Sequence, residues 1–287
     1  MSHLPWIISV TEADRLLAEE SSHAALADVR WYLDGRSGRD AYASGHLPGA
    51  AFVDLDTVLA APATAKSGRH PLPSMEAFAA GMEAAGFTES TTVIAYDDAS
   101  GASASRLVWL LRATGHRAAL LDGGLQAWTA AHGEHELATG SDDVVAAPAG
   151  SFHRTPVNPE WLADMGDAVE AGRSGAPLID SRAPARYRGE TEPMDAWAGH
   201  IPGAANVFHA GNIGPGGEFV PQAAIRERFT AAGVDEKGTA PIVYCGSGVT
   251  ACHNLVAMEA AGLHGRLYPG SWSQYSALTP APDTNSA

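Results

Sequence analysis

The residues most able to do chemistry lie near the C-terminal end, in Val243-Tyr244-Cys245-Gly246-Ser247-Gly248-Val249-Thr250. A cysteine leaves an apolar β-type run, two glycines follow within three positions, and a helical stretch comes next. Glycines let the backbone curl so that successive N–H groups converge as an anion-binding nest. The helix behind them adds its positive end. Such surroundings favour thiolate over thiol, so Cys245 is a candidate nucleophile, with Gly246, Gly248, Val249 and Thr250 as its backbone cradle. An arbitrary cysteine at a strand end is more often a small buried hydrophobe; the glycine spacing reverses that balance here. Phosphatase chemistry of the Cys-x5-Arg type needs arginine six residues after the cysteine, and that position is Ala251. Without the bidentate guanidinium the strongest phosphate contact is lost. A Cys–His hydrolase needs an oriented base, but His253 falls inside the helix and is expected to point away. Sulfur-atom transfer fits best: a thiolate attacks a sulfane sulfur, and the same N–H groups steady the resulting persulfide.

The elements that must hold this loop are legible because the chain repeats itself. Gly45-His46-Leu47-Pro48-Gly49-Ala50-Ala51 recurs as Gly199-His200-Ile201-Pro202-Gly203-Ala204-Ala205. Upstream of each turn a short apolar segment ends in aspartate, at Asp28 and Asp180. Downstream, Ala84-Ala85-Gly86-Phe87 is echoed by Ala231-Ala232-Gly233-Val234, and β-rich runs end at Tyr96 and Tyr244. His46 and His200 lie 154 residues apart, Gly86 and Gly233 147, and Asp97 and Cys245 148. Each half opens with a helix: Thr11-x-x-Asp14 has the form of a capping box, and Asn158-Pro159 offers an N-cap with proline at the first helical position. Helices over 103–114 and 249–261 are closed by Gly115 and Gly262. Short apolar runs alternating with helical stretches predict parallel sheets with helices on both faces. In such sheets ligands bind beyond the carboxyl ends of the strands, which are the loops after Tyr96 and Tyr244. The expected organisation is a first domain over 1–135, a linker over 136–156 and a second domain over 157–287.

Composition sets the outer limits. The 287 residues carry a formal charge of −15, are 45% hydrophobic and 18% charged, and include two cysteines. That fits a globular chain of about two domains. It disfavours broad contact with nucleic acid or an anionic membrane, since both reward clustered Lys and Arg. Two cysteines are too few for a disulfide framework or a structural zinc site, and no metal or other cofactor is expected. The N-terminal stretch lacks the basic region of a secretory signal, and no apolar run reaches membrane-spanning length, so the expected location is the cytoplasm. An anionic substrate would need a local positive site against an unfavourable overall field.

The Cys-Gly-Ser-Gly-Val-Thr loop at 245–250, the two His-(Leu/Ile)-Pro-Gly-Ala turns and Asp180-Ser181-Arg182 together resemble the tandem rhodanese-domain sulfurtransferases, and within them the 3-mercaptopyruvate branch. The resemblance covers nearly the whole chain. It implies two rhodanese-like domains, catalysis by the second, and a first domain without its cysteine, where Asp97 stands. It implies a small anionic sulfur donor and a thiol, thioredoxin or cyanide acceptor. The basic residues that thiosulfate sulfurtransferases carry after the cysteine are replaced by Gly246 and Ser247, yet thiosulfate remains an alternative donor, and a persulfide carrier without turnover an alternative role. Arg186 matches a substrate-carboxylate arginine. Ser247, His70 and Asp56 match a Ser–His–Asp proton relay, His being suited to proton transfer near neutral pH. The family's second arginine falls near Met194, so another cation, such as Arg188 or Arg106, is expected to substitute, or the preference for mercaptopyruvate to weaken. His46 and His200, duplicated in a half without a nucleophile, are expected to be structural; Cys252, Trp109 and Trp128 are expected to be packed.

Overall fold

A computed structural model describes residues 4–64, 66–140 and 146–281. Within them lie nine strands: β1 (Ile7–Ile8), β2 (Ala24–Asp28), β3 (Ala51–Phe52), β4 (Thr92–Tyr96), β5 (Ala118–Leu121), β6 (Leu178–Asp180), β7 (Ala205–Asn206), β8 (Ile242–Tyr244) and β9 (Arg266–Leu267). They form two sheets, ordered β1-β5-β4-β2-β3 and β7-β6-β8-β9. Every pairing is parallel. In each sheet the chain first steps one way, from β2 to β3 or β6 to β7, then crosses back to β4 or β8. Right-handed crossovers in opposite directions put helices on opposite faces.

Those helices are α1 (Val10–Ala18), α2 (Gly38–Ser44), α3 (Leu55–Val58), α4 (Met75–Ala84), α5 (Ala104–Ala113) and α6 (Gly124–His132) in the first half. The second half has α7 (Met165–Ser174), α8 (Pro184–Tyr187), α9 (Gln222–Ala231), α10 (Thr250–Ala260) and α11 (Ser271–Leu278). Two helix starts differ from expectation. Ser9, not Thr11, caps α1, through a reciprocal capping box with Glu12. Asn158-Pro159 opens only a single 3₁₀ turn, Pro159–Trp161; the α-helix begins after Asp164, which forms a capping box with Asp167. Among the described residues, no helix is long and apolar enough to cross a membrane.

The chain packs as two compact units. One contains Met1–Ala61, Leu72–Asn158 and Asn212–Gln222; the other contains Pro62–Pro71, Pro159–Gly211 and Ala223–Ala287. Each thus takes one short stretch from the opposite half of the sequence. The linker expected over 136–156 includes 141–145, outside the described residues. Beyond them the chain is fastened to the first unit, because Glu83 Oε1 accepts the N–H groups of Gly150 and Phe152 at 2.7 and 3.1 Å. Phe152 packs on Phe78 and His116.

The duplication extends to the hydrogen bonds around each strand end. Asp28 binds Arg30, whose Nη2 donates to Gly45 O at 2.7 Å; Asp180 binds Arg182, whose Nη2 donates to Gly199 O at 2.6 Å. His46 stacks on Tyr42 and shares a 2.8 Å hydrogen bond with its carbonyl. His200 does the same with Tyr187. Tyr96 and Tyr244 hydroxyls accept the N–H groups of Leu47 and Ile201. Both histidines therefore pin the turn that returns the chain to the sheet. Trp109 and Trp128 are buried in the first unit.

Candidate active site

Strand β8 is buried throughout and delivers Cys245 to the carboxyl end of its sheet. The loop between it and α10 is tied to the start of α11. Cys245 N–H donates to Ser271 Oγ at 3.2 Å, while Trp272 and Ser273 N–H groups donate to the carbonyls of Cys245 and Gly246 at 3.0 and 2.9 Å. Gly248 has φ +82°, and a Cβ there would lie 2.6 Å from Pro269 O. Only glycine fits both the left-handed backbone and that close approach. The resulting curl points Gly248 N–H at Cys245 Sγ, 3.1 Å away. Val249 caps α10 and Thr250 opens it, so their N–H groups belong to the helix's first turn, where no intrahelical acceptor exists. Cys252 is fully buried and donates its S–H to Gly248 O at 3.3 Å, bracing the loop from behind. His253 is buried in α10 against His209.

The stretch 62–71 supplies two further side chains to this unit. His70 Nδ1 lies 2.7 Å from Ser247 Oγ. Arg69 is held by its own N–H, which donates to Ser273 Oγ at 3.1 Å. Its Nη2 would lie 3.0 Å from a Cβ built on Gly246, and Arg186 Nη1 3.3 Å from the same point. Two guanidinium groups thus cover the peptide next to the thiol. Arg186 Nη2 also donates to Glu192 Oε1 and Asp195 Oδ2, at 2.6 and 3.0 Å, and Arg69 Nη1 pairs with Asp195 Oδ1. Burial first, and then repulsion from Arg186, push the Arg69 guanidinium below the ordinary arginine range, with Cys245 and Glu192 opposing. Arg69 Nε and Arg186 Nε are buried without a hydrogen-bond partner. Buried unpaired donors are costly.

The structure therefore brings together Cys245, Gly246, Ser247, Gly248, Val249, Thr250, Arg186 and His70. Asp56 belongs to the first unit, where its Oδ2 accepts the Trp31 indole N–H at 3.1 Å. The two arginines expected to replace the family's second one have other partners. Arg188 is exposed and paired with Glu190 at 2.6 Å. Arg106 is buried in the first unit and donates to Leu59 O. The second guanidinium is Arg69, which sequence reasoning missed; its adjacency to His70 was the one available signal. Met194 is 41% exposed and contributes no charge. Among the described residues, no group of three His, Cys, Asp or Glu side chains could hold a metal.

The same loop in the first unit carries Asp97, and its carboxylate occupies the nest. Oδ1 accepts the N–H groups of Ala99 and Gly101 at 2.9 and 2.8 Å; Oδ2 accepts those of Ser103 and Ala104 at 2.8 and 2.9 Å.

Residues 9–131 and 158–278 each match the Rhodanese-like domain. A Pseudomonas aeruginosa protein provisionally named 3-mercaptopyruvate sulfurtransferase is 42% identical over 254 residues, 86% of this chain and 87% of that one. A Mycobacterium tuberculosis protein provisionally named thiosulfate sulfurtransferase SseB is 40% identical over 256 residues, 88% of this chain and 87% of its own. The crystal structure of SseA from Escherichia coli, described as a 3-mercaptopyruvate sulfotransferase with the rhodanese fold, superposes with a TM-score of 0.79 at 30% identity, covering 94% of this chain and 100% of that one. The chain belongs to the rhodanese-domain sulfurtransferases, with two such domains, and is an enzyme of sulfur transfer.

Proposed function

We propose that the chain moves a sulfane sulfur from 3-mercaptopyruvate, through a persulfide on Cys245, to a thiol, thioredoxin or cyanide. The observation that carries this reading is the pairing of Arg69 and Arg186 over Gly246, beside the sulfur that Gly248 N–H contacts. A donor carboxylate bound by planar guanidinium groups leaves the donor's sulfur free to reach Sγ.

The thiolate attacks the donor sulfur, and an S–S bond forms. The C–S bond breaks and its electron pair passes to the methylene carbon, giving the enolate of pyruvate. The proton that the donor thiol brought ends on that carbon, so pyruvate and Cys–S–S⁻ are the products and no external oxidant is needed. Ser247 and His70, hydrogen-bonded at 2.7 Å, are suited to carry that proton. Asp56 is assigned to the same relay on the family resemblance alone. The N–H nest and the start of α10 steady the terminal persulfide anion. An acceptor then takes the outer sulfur and restores the thiolate.

A second donor, thiosulfate, is favoured by the name of the M. tuberculosis relative. Comparing kcat/KM for both donors, with cyanide as acceptor, decides between them. In Cys245→Ser, pyruvate release from mercaptopyruvate should vanish, and a mutant that keeps its activity would overturn the assignment. Persulfide formation without turnover on any small acceptor would instead make the chain a carrier.

A further inference from the structure

Asp195 holds an unusual place at this site. Its side chain is 3% exposed and bridges the two arginines, Oδ1 to Arg69 Nη1 and Oδ2 to Arg186 Nη2. Its own N–H donates to Glu192 Oε1 at 3.2 Å, fixing it at the end of a tight turn. Glu192 in turn reaches Arg186 with Oε1 and Arg182 with Oε2, and Arg182 is anchored by Asp180. Three guanidinium groups and three carboxylates thus cancel within one cluster, whose carboxylates and Arg182 are buried and whose Arg69 and Arg186 are partly exposed. Arg69 and Arg186 still present Nη2 and Nη1 towards Gly246. Their orientation suits an anion, yet their charge is already matched. Buried charges interact far more strongly than exposed ones, so each unmatched unit of charge counts at such a site.

Resting on the reading of Cys245 as the sulfur-accepting nucleophile, we propose that Asp195 sets the charge class of the donor. Its carboxylate orients both guanidinium groups and withholds one positive charge from the space above Gly246. A donor with a single carboxylate and a neutral thiol is then accommodated. A dianion such as thiosulfate sets twice that charge against a cluster with no net positive charge, and is disfavoured more strongly. Asp195 is a specificity-determining residue; Arg69 and Arg186 supply the contacts, and Asp195 decides how much charge they have to offer.

The test is the ratio of kcat/KM for thiosulfate to that for mercaptopyruvate, with cyanide as acceptor for both. Asp195→Asn keeps the shape and one acceptor oxygen while removing the charge. Its ratio should rise at least ~10-fold over wild type, since an added unit of positive potential favours the dianion more. Arg69→Gln shifts the charge the other way, and its ratio should fall by a similar factor. That second variant also tests the claim if Asp195→Asn folds poorly. A ratio within twofold of wild type, or a shift of opposite sign, in either folded variant overturns the proposal. Mass spectrometry of the wild-type chain after donor treatment separates the two levels: a gain of about 32 Da, one sulfur, on Cys245 upholds the nucleophile. With that gain and an unmoved ratio, the Asp195 claim alone falls; without it from either donor, both fall.

Discussion

Replacing Asp97 should reveal how strongly the first unit depends on filling its own nest. The side chain is 1% exposed, and its two oxygens accept four backbone N–H groups at 2.8–2.9 Å. The carbonyl of the same residue accepts Leu125 N–H at 2.9 Å, tying β4 to the start of α6. Asp97→Ala strands four donors in a loop bounded by buried side chains. At ~1–3 kcal/mol for each buried group left unpaired, and with water reaching about half of them, the cost is ~2–6 kcal/mol. Asp97→Asn keeps one acceptor oxygen but sets an NH₂ group against two N–H donors, at a cost of ~2–4 kcal/mol. At ~3 °C per kcal/mol for a unit of this size, Tm should fall by ~6–18 °C for alanine and by ~6–12 °C for asparagine. Calorimetry reads both values, and kcat/KM measured below the transition should stay within twofold of wild type. A fall of less than ~3 °C in Asp97→Ala would refute the reasoning, because it would mean that water satisfies the nest as well as the carboxylate does.

Two further perturbations follow from the geometry. Gly248→Ala introduces a Cβ 2.6 Å from Pro269 O at φ +82°, whereas Gly49→Ala has φ +74° with nothing within 4 Å; both should lose ~1–2 kcal/mol to left-handed strain, but only Gly248→Ala should cut kcat/KM, by at least ~10-fold, and equal activity in the two would sink the cradle. His209 shares a 3.1 Å hydrogen bond with Ser181 O, and burial, outweighing the opposite pull of that bond, holds its imidazole below the ordinary value of 6.5. The neutral ring therefore contributes stability that is fully present above pH 6.5 and is lost as pH falls through the folded value. His209→Gln should show a smaller drop in Tm between pH 7.5 and 5.0 than wild type, and identical drops would count against it.

Much of this arrangement is legible in the sequence, because a duplicated chain gives every landmark two chances to be recognised. The strand ends at Asp28, Tyr96, Asp180 and Tyr244 fall where the repeat puts them. Helix starts were harder to locate. Ser9 and Thr11 both precede an acidic residue by three positions, and the phase of buried Ala13 and Leu16 selects Ser9. Asn158-Pro159 carries the local signature of a helix start, but the chain runs on for one 3₁₀ turn before Asp164 caps a longer apolar face. The site was half legible for a related reason. Cys245, Gly246, Ser247 and Gly248 are contiguous and carry their own signal. Arg69 lies 176 residues away, on a stretch whose local sequence says nothing about where it packs. The clasp of Gly68 and Arg69 on Gly270 and Ser273 helps bring it beside Gly246.

The two nests also show why one substitution does not account for the divergence of the halves. From Asp97 to the first residue of α5 the chain advances seven residues; from Cys245 to the first residue of α10 it advances five. The longer loop wraps a forked acceptor, so that each carboxylate oxygen meets two N–H groups. The shorter loop closes on one sulfur, with Gly248 forced into the left-handed region to point its N–H inward. A fixed anion in the first nest stabilises the fold and leaves no nucleophile. In the second, the ligand is the sulfur proposed as the nucleophile, and the arginines beside its loop are balanced by Glu192 and Asp195. Under the proposed function, an acidic chain takes up an anionic sulfur donor without a basic surface, because recognition is confined to guanidinium groups already oriented by buried carboxylates. The overall charge of −15 then acts chiefly on the approach of the donor, where salt screens it, and little on its binding beside Cys245.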